Sequence, residues 1–312
     1  MRGILRYADA DGRVRVGLGD DDGEAVVRPL PDVRDMADLL RRPLAEIREL
    51  AAAASGERLA ARLADVAVLP PVDGGTEVWA GGVTYERSRE ARGEESDSAD
   101  LYDRVYDADR PELFFKSVAW RVVTDGEPIG VRADSALDVP EPELALFVNA
   151  HAEIVGYGVC DDVSSRSIEG ENALYLPQAK VYAGGCALGA FVRPVWELDD
   201  PRAGAVRMSV LRGGEEAFTG EVALAGLRRR PEDLVSSLFD CYPFPDGAVL
   251  ATGTGIVPDM DFTLQEDDVV DIEITGVGSL RNTVVRGQRA LDWLVAARSE
   301  PALRGPRAPL PE

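Results

Sequence analysis

Two glutamates, Glu141 and Glu143, lie in the segment DVPEPELALF, and Asp162 follows in GYGVCDD. On an extended chain alternate side chains leave the same face, so Glu141 and Glu143 point together. Residues 149–152 read as a tight turn that returns the chain through EIVGYGVC. A hairpin pairing Asn149 with Ala152 sets Glu141 opposite Cys160 and Val139 opposite Asp162. Asp162 then shares the glutamates' face, a diagonal neighbour of Glu141 at roughly 7–8 Å. A turn longer or shorter by one residue reverses that parity. Three carboxylates at one point repel unless a cation sits among them. An all-oxygen set without Cys or His suits Mg2+, Mn2+ or Ca2+ rather than Zn2+. The competing reading of the same spacing is a solvated acidic edge strand.

The nearby cations narrow the chemistry. Of the 34 Lys and Arg residues only Lys116 and Lys180 are lysines, and a chain that uses arginine for its surface keeps the compact ammonium where it matters. Arg166 follows Asp162 by four residues, and Lys180 lies 14 further along. An arginine clamps a carboxylate bidentately, and a lysine beside a metal works as acid or base. A salt bridge and a structural ammonium are the plainer alternatives. His151 is the only histidine, and it falls in the expected turn, where a surface role fits better than catalysis. TGTG at 252–255 offers a weak anion nest or simply a tight turn, since it lacks the lysine and the length of a phosphate loop.

Strands must position these groups. Residues 1–72 read as a small α+β unit, with short strands separated by DADG and DDDG turns. Apolar spacing from Met36 to Leu50 predicts a helix, and a second is expected over 56–63. VAVLPPVDGG resembles a linker. In the body, 73–300, strands are expected at VWAGGVTY, FFKSVAWRVV, 144–148, EIVGYGV, FVRPVWEL, VRMSVLRG, EAFTGEVAL and VVDIEITGVG, with a charged helix at ERSREARGEE. Many short strands with Gly/Pro turns favour a mostly β, mixed β-roll or sandwich over a doubly wound sheet. Residues 301–312 are Pro-rich and read as a loose tail.

Composition excludes several classes. The net charge of −22 argues against nucleic acid, which requires a basic footprint; the arginines at 228–230 read as a solvated helix end. No stretch approaches the roughly 20 apolar residues of a membrane span. The start carries no apolar run before its first acidic residues, so no signal peptide is expected. Cys160, Cys186 and Cys241 are too far apart in sequence for a metal knuckle or a redox pair, and an odd count points to a reducing, cytoplasmic setting.

DVPEPELALF, GYGVCDDVSSRSIEGENALYLPQAKVY and TGTGIVPDMDFTLQEDDVVDIEITGVG closely resemble the fumarylacetoacetate hydrolase superfamily. VWAGGVTYERSREARGEES and YDRVYDADRPELFFK look like its 2-keto-3-deoxy-D-arabinonate dehydratase branch. The resemblance spans residues 78 to 290. It implies a mixed β-roll catalytic domain behind a variable small N-terminal domain, usually as a homodimer. Its metal ligands carry over onto Glu141, Glu143 and Asp162, the three chosen from strand geometry. Its lysine falls on Lys180, its arginine on Arg166 and its Gly-Thr-Gly threonine on Thr254. Hydrolases of the superfamily place a water-activating histidine where GVTYERS has Ser88, as the dehydratase branch does.

The reading that follows is a Mg2+-dependent lyase acting on a small 2-oxo acid, with Mn2+ as substitute and Ca2+ acceptable in crystals. Lys180 is the expected base, Ser88 or Glu94 the expected donor to a leaving hydroxyl, and Lys116 orients a strand end or the substrate. C–C hydrolysis of an acylpyruvate and decarboxylation are the alternatives sharing the enolate. A non-catalytic scaffold is the alternative of another class, motivated by Asp161, Ala173, Ala183 and Ala190, where the branch carries other residues.

Overall fold

A computed structural model describes residues 2–20, 25–56, 61–89, 99–240 and 242–304. The N-terminal unit opens with strands Arg2–Ala8, Val14–Asp20 and Val26–Pro29, paired antiparallel in succession. The DADG turn forms as expected, with Gly12 at φ +78° and its N–H donating to Asp9 O at 2.8 Å; DDDG lies outside the described residues. The helical stretch is two helices rather than one, Met36–Leu40 and Leu44–Ser55. Pro43 separates them, because proline has no N–H to continue the ladder. The helix expected over 56–63 is not seen in its described part: Ala61–Arg62 pairs as a strand with Val26 and Val27, and Leu63–Asp65 is a 3-10 turn. Tertiary pairing overrides local propensity there.

The segment expected to be a linker is packed. Ala67–Leu69 pairs with Arg2–Ala8, and Val72 is buried. The Asp73 carboxylate accepts from Met36 N at 3.1 Å and Ala37 N at 2.9 Å and pairs with Arg6 at 2.8 Å. It satisfies amides of the first helical turn that have no partner inside the helix.

One large sheet carries the site. Its order runs Ala61–Arg62, Val26–Pro29, Val14–Asp20, Arg2–Ala8, Phe191–Pro194, Ile154–Asp162, Pro142–Val148, Ala248–Ala251, Glu77–Gly82, Glu112–Val118. Cys186–Leu188 joins beside Ile154–Asp162. A second sheet runs Glu215–Ala223, Ala205–Arg212, Val269–Ile274, Gly278–Arg286, Ile129–Val131. Ala248–Ala251 pairs parallel with Glu77–Gly82, and Gly278–Arg286 parallel with Ile129–Val131, among otherwise antiparallel pairs. The fold is therefore mostly β with mixed sheets, as expected.

Strand Pro142–Val148 is buried on both faces, which explains its unbroken apolar run. Leu144, Leu146 and Val148 face a core shared with Met208, Val210, Ile272 and Leu280 of the second sheet. Ala145 and Phe147 face a different core, with Met36, Leu39 and Ile47 of the N-terminal unit. Glu141 and Glu143 continue that second face.

Candidate active site

The carboxylates meet through a hairpin whose details differ from the simple turn. Asn149 N donates to Glu153 O at 3.0 Å, so the loop is one residue longer than the expected turn. Val148 then pairs with Ile154, but Phe147 pairs with Gly156, leaving Val155 as an extra residue. The bulge compensates the longer loop. Glu143 faces Cys160, Pro142 faces Asp161, and Asp162 N donates to Glu141 O at 2.9 Å. Asp162 thus lies across from Glu141 rather than diagonal to it, on the same face as both glutamates. Ligand oxygens of Glu141, Glu143 and Asp162 all lie within 4.8 Å of one another, and all three residues are buried.

Each carboxylate is held. Glu143 Oε2 accepts from Gly253 N at 2.7 Å. Gly253 has φ +91°, and a Cβ there would collide with Thr84 Oγ1; Thr84 Oγ1 in turn donates to Thr252 O at 2.7 Å. Lys180 Nζ donates to Glu141 Oε2 at 2.7 Å, Asp162 Oδ2 at 3.2 Å and Ser164 Oγ at 2.6 Å. Asp161 Oδ1 accepts from Glu141 N at 2.9 Å, which fixes the ligand's backbone. Burial holds the Asp161 carboxyl up at about 7. Burial, then the neighbouring Asp162 and Glu141 charges, push Glu143 well above the usual carboxylate range. A cation relieves such crowding.

A cavity of about 420 Å³ opens over these groups, and its wall includes Ser88, Glu112, Phe114, Arg166, Glu169 and Thr254 besides the carboxylates and Lys180. Arg166 Nη1 donates to Pro258 O at 2.7 Å. Thr254 Oγ1 accepts from Ile256 N at 3.1 Å. Ser88 Oγ donates to Tyr85 O at 2.7 Å within its own turn. Lys116 is not among the cavity's lining residues and stands behind Asp162, a place that fits the strand-end alternative expected of it better than the substrate one. Glu94 lies outside the described residues. His151 is exposed in its loop, as expected.

Glu112 and Glu169 are cavity residues that sequence reasoning missed. Glu169 lies three residues after Arg166 on helix Arg166–Glu171, one neighbouring position on a helix face. That spacing was a usable signal. Glu112 faces Gly82 across a strand pair thirty residues apart in sequence, which left no local signal. The cysteines also need correcting: the fold brings Cys160 and Cys186 into hydrogen-bond contact, with Cys186 opposite Asp162, both as buried free thiols. Cys241 lies outside the described residues.

The donor set fits a hard divalent cation: three carboxylates and no nitrogen or sulfur ligand. Fold and site together define an enzyme built around such a cation on a mixed β-roll. The chain belongs to the fumarylacetoacetate hydrolase family, whose description, Fumarylacetoacetate (FAA) hydrolase C-terminal, matches residues 82–285. It is 47% identical over 264 residues to a probable 2-keto-3-deoxyxylonate dehydratase of Haloferax volcanii, covering 81% of this chain and 89% of that one. To a 2-dehydro-3-deoxy-D-arabinonate dehydratase of Saccharolobus solfataricus it is 41% identical over 229 residues, covering 72% and 76% of the two chains. The solved structure of a 2-keto-3-deoxy-D-arabinonate dehydratase complexed with magnesium and 2,5-dioxopentanoate is similar at a TM-score of 0.75 and 32% identity, over 92% of this chain and 99% of that chain.

Proposed function

We propose that this chain is a Mg2+-dependent hydro-lyase that removes water from a 2-keto-3-deoxy sugar acid. The observation that carries the reading is Lys180 Nζ, 2.7 Å from Glu141 and 3.2 Å from Asp162, on the wall of a cavity it shares with Arg166 and Thr254. Relatives named as dehydratases support the reaction type. A divalent cation held by Glu141, Glu143 and Asp162 supplies Lewis acidity, which makes the hydrogens beside a 2-oxo group acidic. Arg166 pairs with the substrate carboxylate, and Thr254 offers a hydroxyl beside it. With the cation taking up the carboxylates, Lys180 as the neutral amine would take the C3 proton at Nζ, the electron pair left at C3 would expel the β-hydroxyl as its C–O bond breaks, and the hydroxyl would leave as water with a proton from the cavity wall. Ser88, Glu112 and Glu169 line the wall from which that second proton is passed. Phe114 and Leu176 supply apolar surface to the same wall.

The test is turnover of 2-keto-3-deoxy pentonates with Mg2+, read by mass. A single product lighter by one water is expected; two carbon-containing fragments, or CO2, would sink dehydration. Lys180→Ala is expected to reduce turnover by about 10²–10⁴-fold with Mg2+ still bound. Full turnover by that variant removes the base assignment. The same reading makes the enzyme a cytoplasmic homodimer with Mn2+ as an alternative metal. The resemblance supports the dimer and the odd cysteine count supports the compartment; sedimentation at equilibrium tests the dimer. Among the described residues no helix is long and apolar enough to cross a membrane.

A further inference from the structure

We infer that Lys116 is the positioning residue of the metal centre, a buried ammonium whose two hydrogen bonds and one ion pair hold Asp162 and the end of the Lys180 helix where a cation is received. This rests on the reading of Glu141, Glu143 and Asp162 as ligands. Lys116 comes from the edge strand Glu112–Val118, Asp162 ends strand Ile154–Asp162, and Lys180 ends helix Leu176–Lys180. Three separate elements therefore meet at one nitrogen.

An ammonium has three donors and no acceptor. Lys116 Nζ donates to Val163 O at 3.0 Å and to Lys180 O at 2.6 Å, and it forms an ion pair with the Asp162 carboxylate at Oδ1. The side chain is 0% exposed and that of Asp162 1%, so no solvent screens the pair. Tyr182 closes the arrangement: its ring centroid lies 5.6 Å from Nζ, and its hydroxyl donates to the same Val163 O at 2.8 Å. Asp162 is gripped from two sides, Oδ1 by Lys116 and Oδ2 by Lys180. Holding a ligand's orientation from behind is worth about 10–100-fold in metal affinity.

Positioning and charge make opposite predictions. Removing a positive charge beside a cation site should tighten binding if charge alone mattered. If Lys116 positions Asp162, its loss weakens binding. The experiment is calorimetric titration of the full-length protein with Mg2+, alongside the melting temperature of the metal-free form. Lys116→Met, which keeps the apolar stem, is expected to bind Mg2+ about 10–100-fold more weakly than wild type. Equal or tighter binding overturns the proposal. Lys116→Arg keeps the charge but presents a planar fork that cannot converge on Val163 O, Lys180 O and the Asp162 carboxylate together; it is expected to stay weak, and full rescue overturns the convergence account. Should Lys116→Met fail to fold, Tyr182→Phe decides: Mg2+ binding weakened several-fold at an unchanged melting temperature supports positioning, and unchanged affinity overturns it. Wild type that takes up no Mg2+ is a distinct result, which removes the ligand assignment itself.

Discussion

At the scale of the residue, Glu143 carries the sharpest electrostatic conflict, being fully buried beside two other carboxylates. A carboxyl whose folded value lies above its unfolded one contributes stability at low pH, lost as pH rises through the folded value. The metal-free protein thus bears a penalty at alkaline pH that Mg2+ removes, and a proton leaves as the cation enters. The rise in melting temperature produced by Mg2+ is expected to be larger at about pH 8 than at about pH 6. At about 100 times Kd the gain amounts to about 2.7 kcal/mol. An equal rise at both pH values, with no proton released in buffers of different ionisation enthalpy, would sink the prediction. Much of the cavity wall was legible from residue type: Glu141, Glu143, Asp162, Arg166, Lys180, Thr254 and Ser88 all line one cavity. Lys116 was legible as unusual, but nothing local showed that its ammonium meets Val163 O, Lys180 O and the Asp162 carboxylate behind the cavity rather than within it.

At the scale of the element, the hairpin shows why a correct face can follow from an incorrect turn. The longer 149–153 loop alone would place Glu141 opposite Asp161 and turn Asp162 away. Val155, the extra residue, restores the parity. A bulge of this kind has no signature in the alternation of EIVGYGVC, because Val155, Tyr157 and Val159 are all buried, on a strand covered on both faces. The loop that meets the hairpin has a sharper requirement. Gly253 must hold φ +91° while its N–H reaches Glu143 and Gly81 O stands 2.9 Å from where a Cβ would be. Gly213 is a matched control, at φ +60° with nothing within 4 Å of a Cβ. Gly213→Ala is expected to cost only the left-handed penalty of about 1–2 kcal/mol and leave Mg2+ binding alone. Gly253→Ala is expected to cost more and to weaken Mg2+ by about 10–100-fold, through displacement of a ligand's hydrogen-bond donor. Urea titration and calorimetry of the two variants check this, and an equal cost with unchanged Mg2+ affinity would sink it.

At the scale of the whole molecule, the N-terminal unit and the catalytic body share one sheet, joined where Ile4 and Leu5 pair with Val192 and Phe191. Sequence pattern identified strands on both sides of that joint but not their pairing, since partners nearly 190 residues apart leave no local trace. The last described residues make a second such tie. Residues 301–304, read from the sequence as the start of a loose tail, form a 3-10 turn that brings Arg304 onto Glu127, at 2.6 Å with side chains 5% and 0% exposed. Arg304 also donates to Val122 O at 2.7 Å and lies over the Trp293 ring at 5.3 Å. The same 122–127 segment binds the strand beside Asp162, through Val123 N to Cys186 O at 3.1 Å and Thr124 Oγ1 to Leu188 O at 2.8 Å. Breaking a buried pair by removing one partner costs about 3–5 kcal/mol, because the remaining charge stays buried, whereas removing both charges costs far less. Arg304→Ala is therefore expected to lower unfolding free energy by about that amount, and Arg304→Ala combined with Glu127→Gln to recover much of it. Urea unfolding of both variants measures the difference. A loss below about 1 kcal/mol, the range of a solvent-exposed ion pair, would mean that Arg304 lies on the surface rather than fastening the 301–304 turn to the segment behind the ligands.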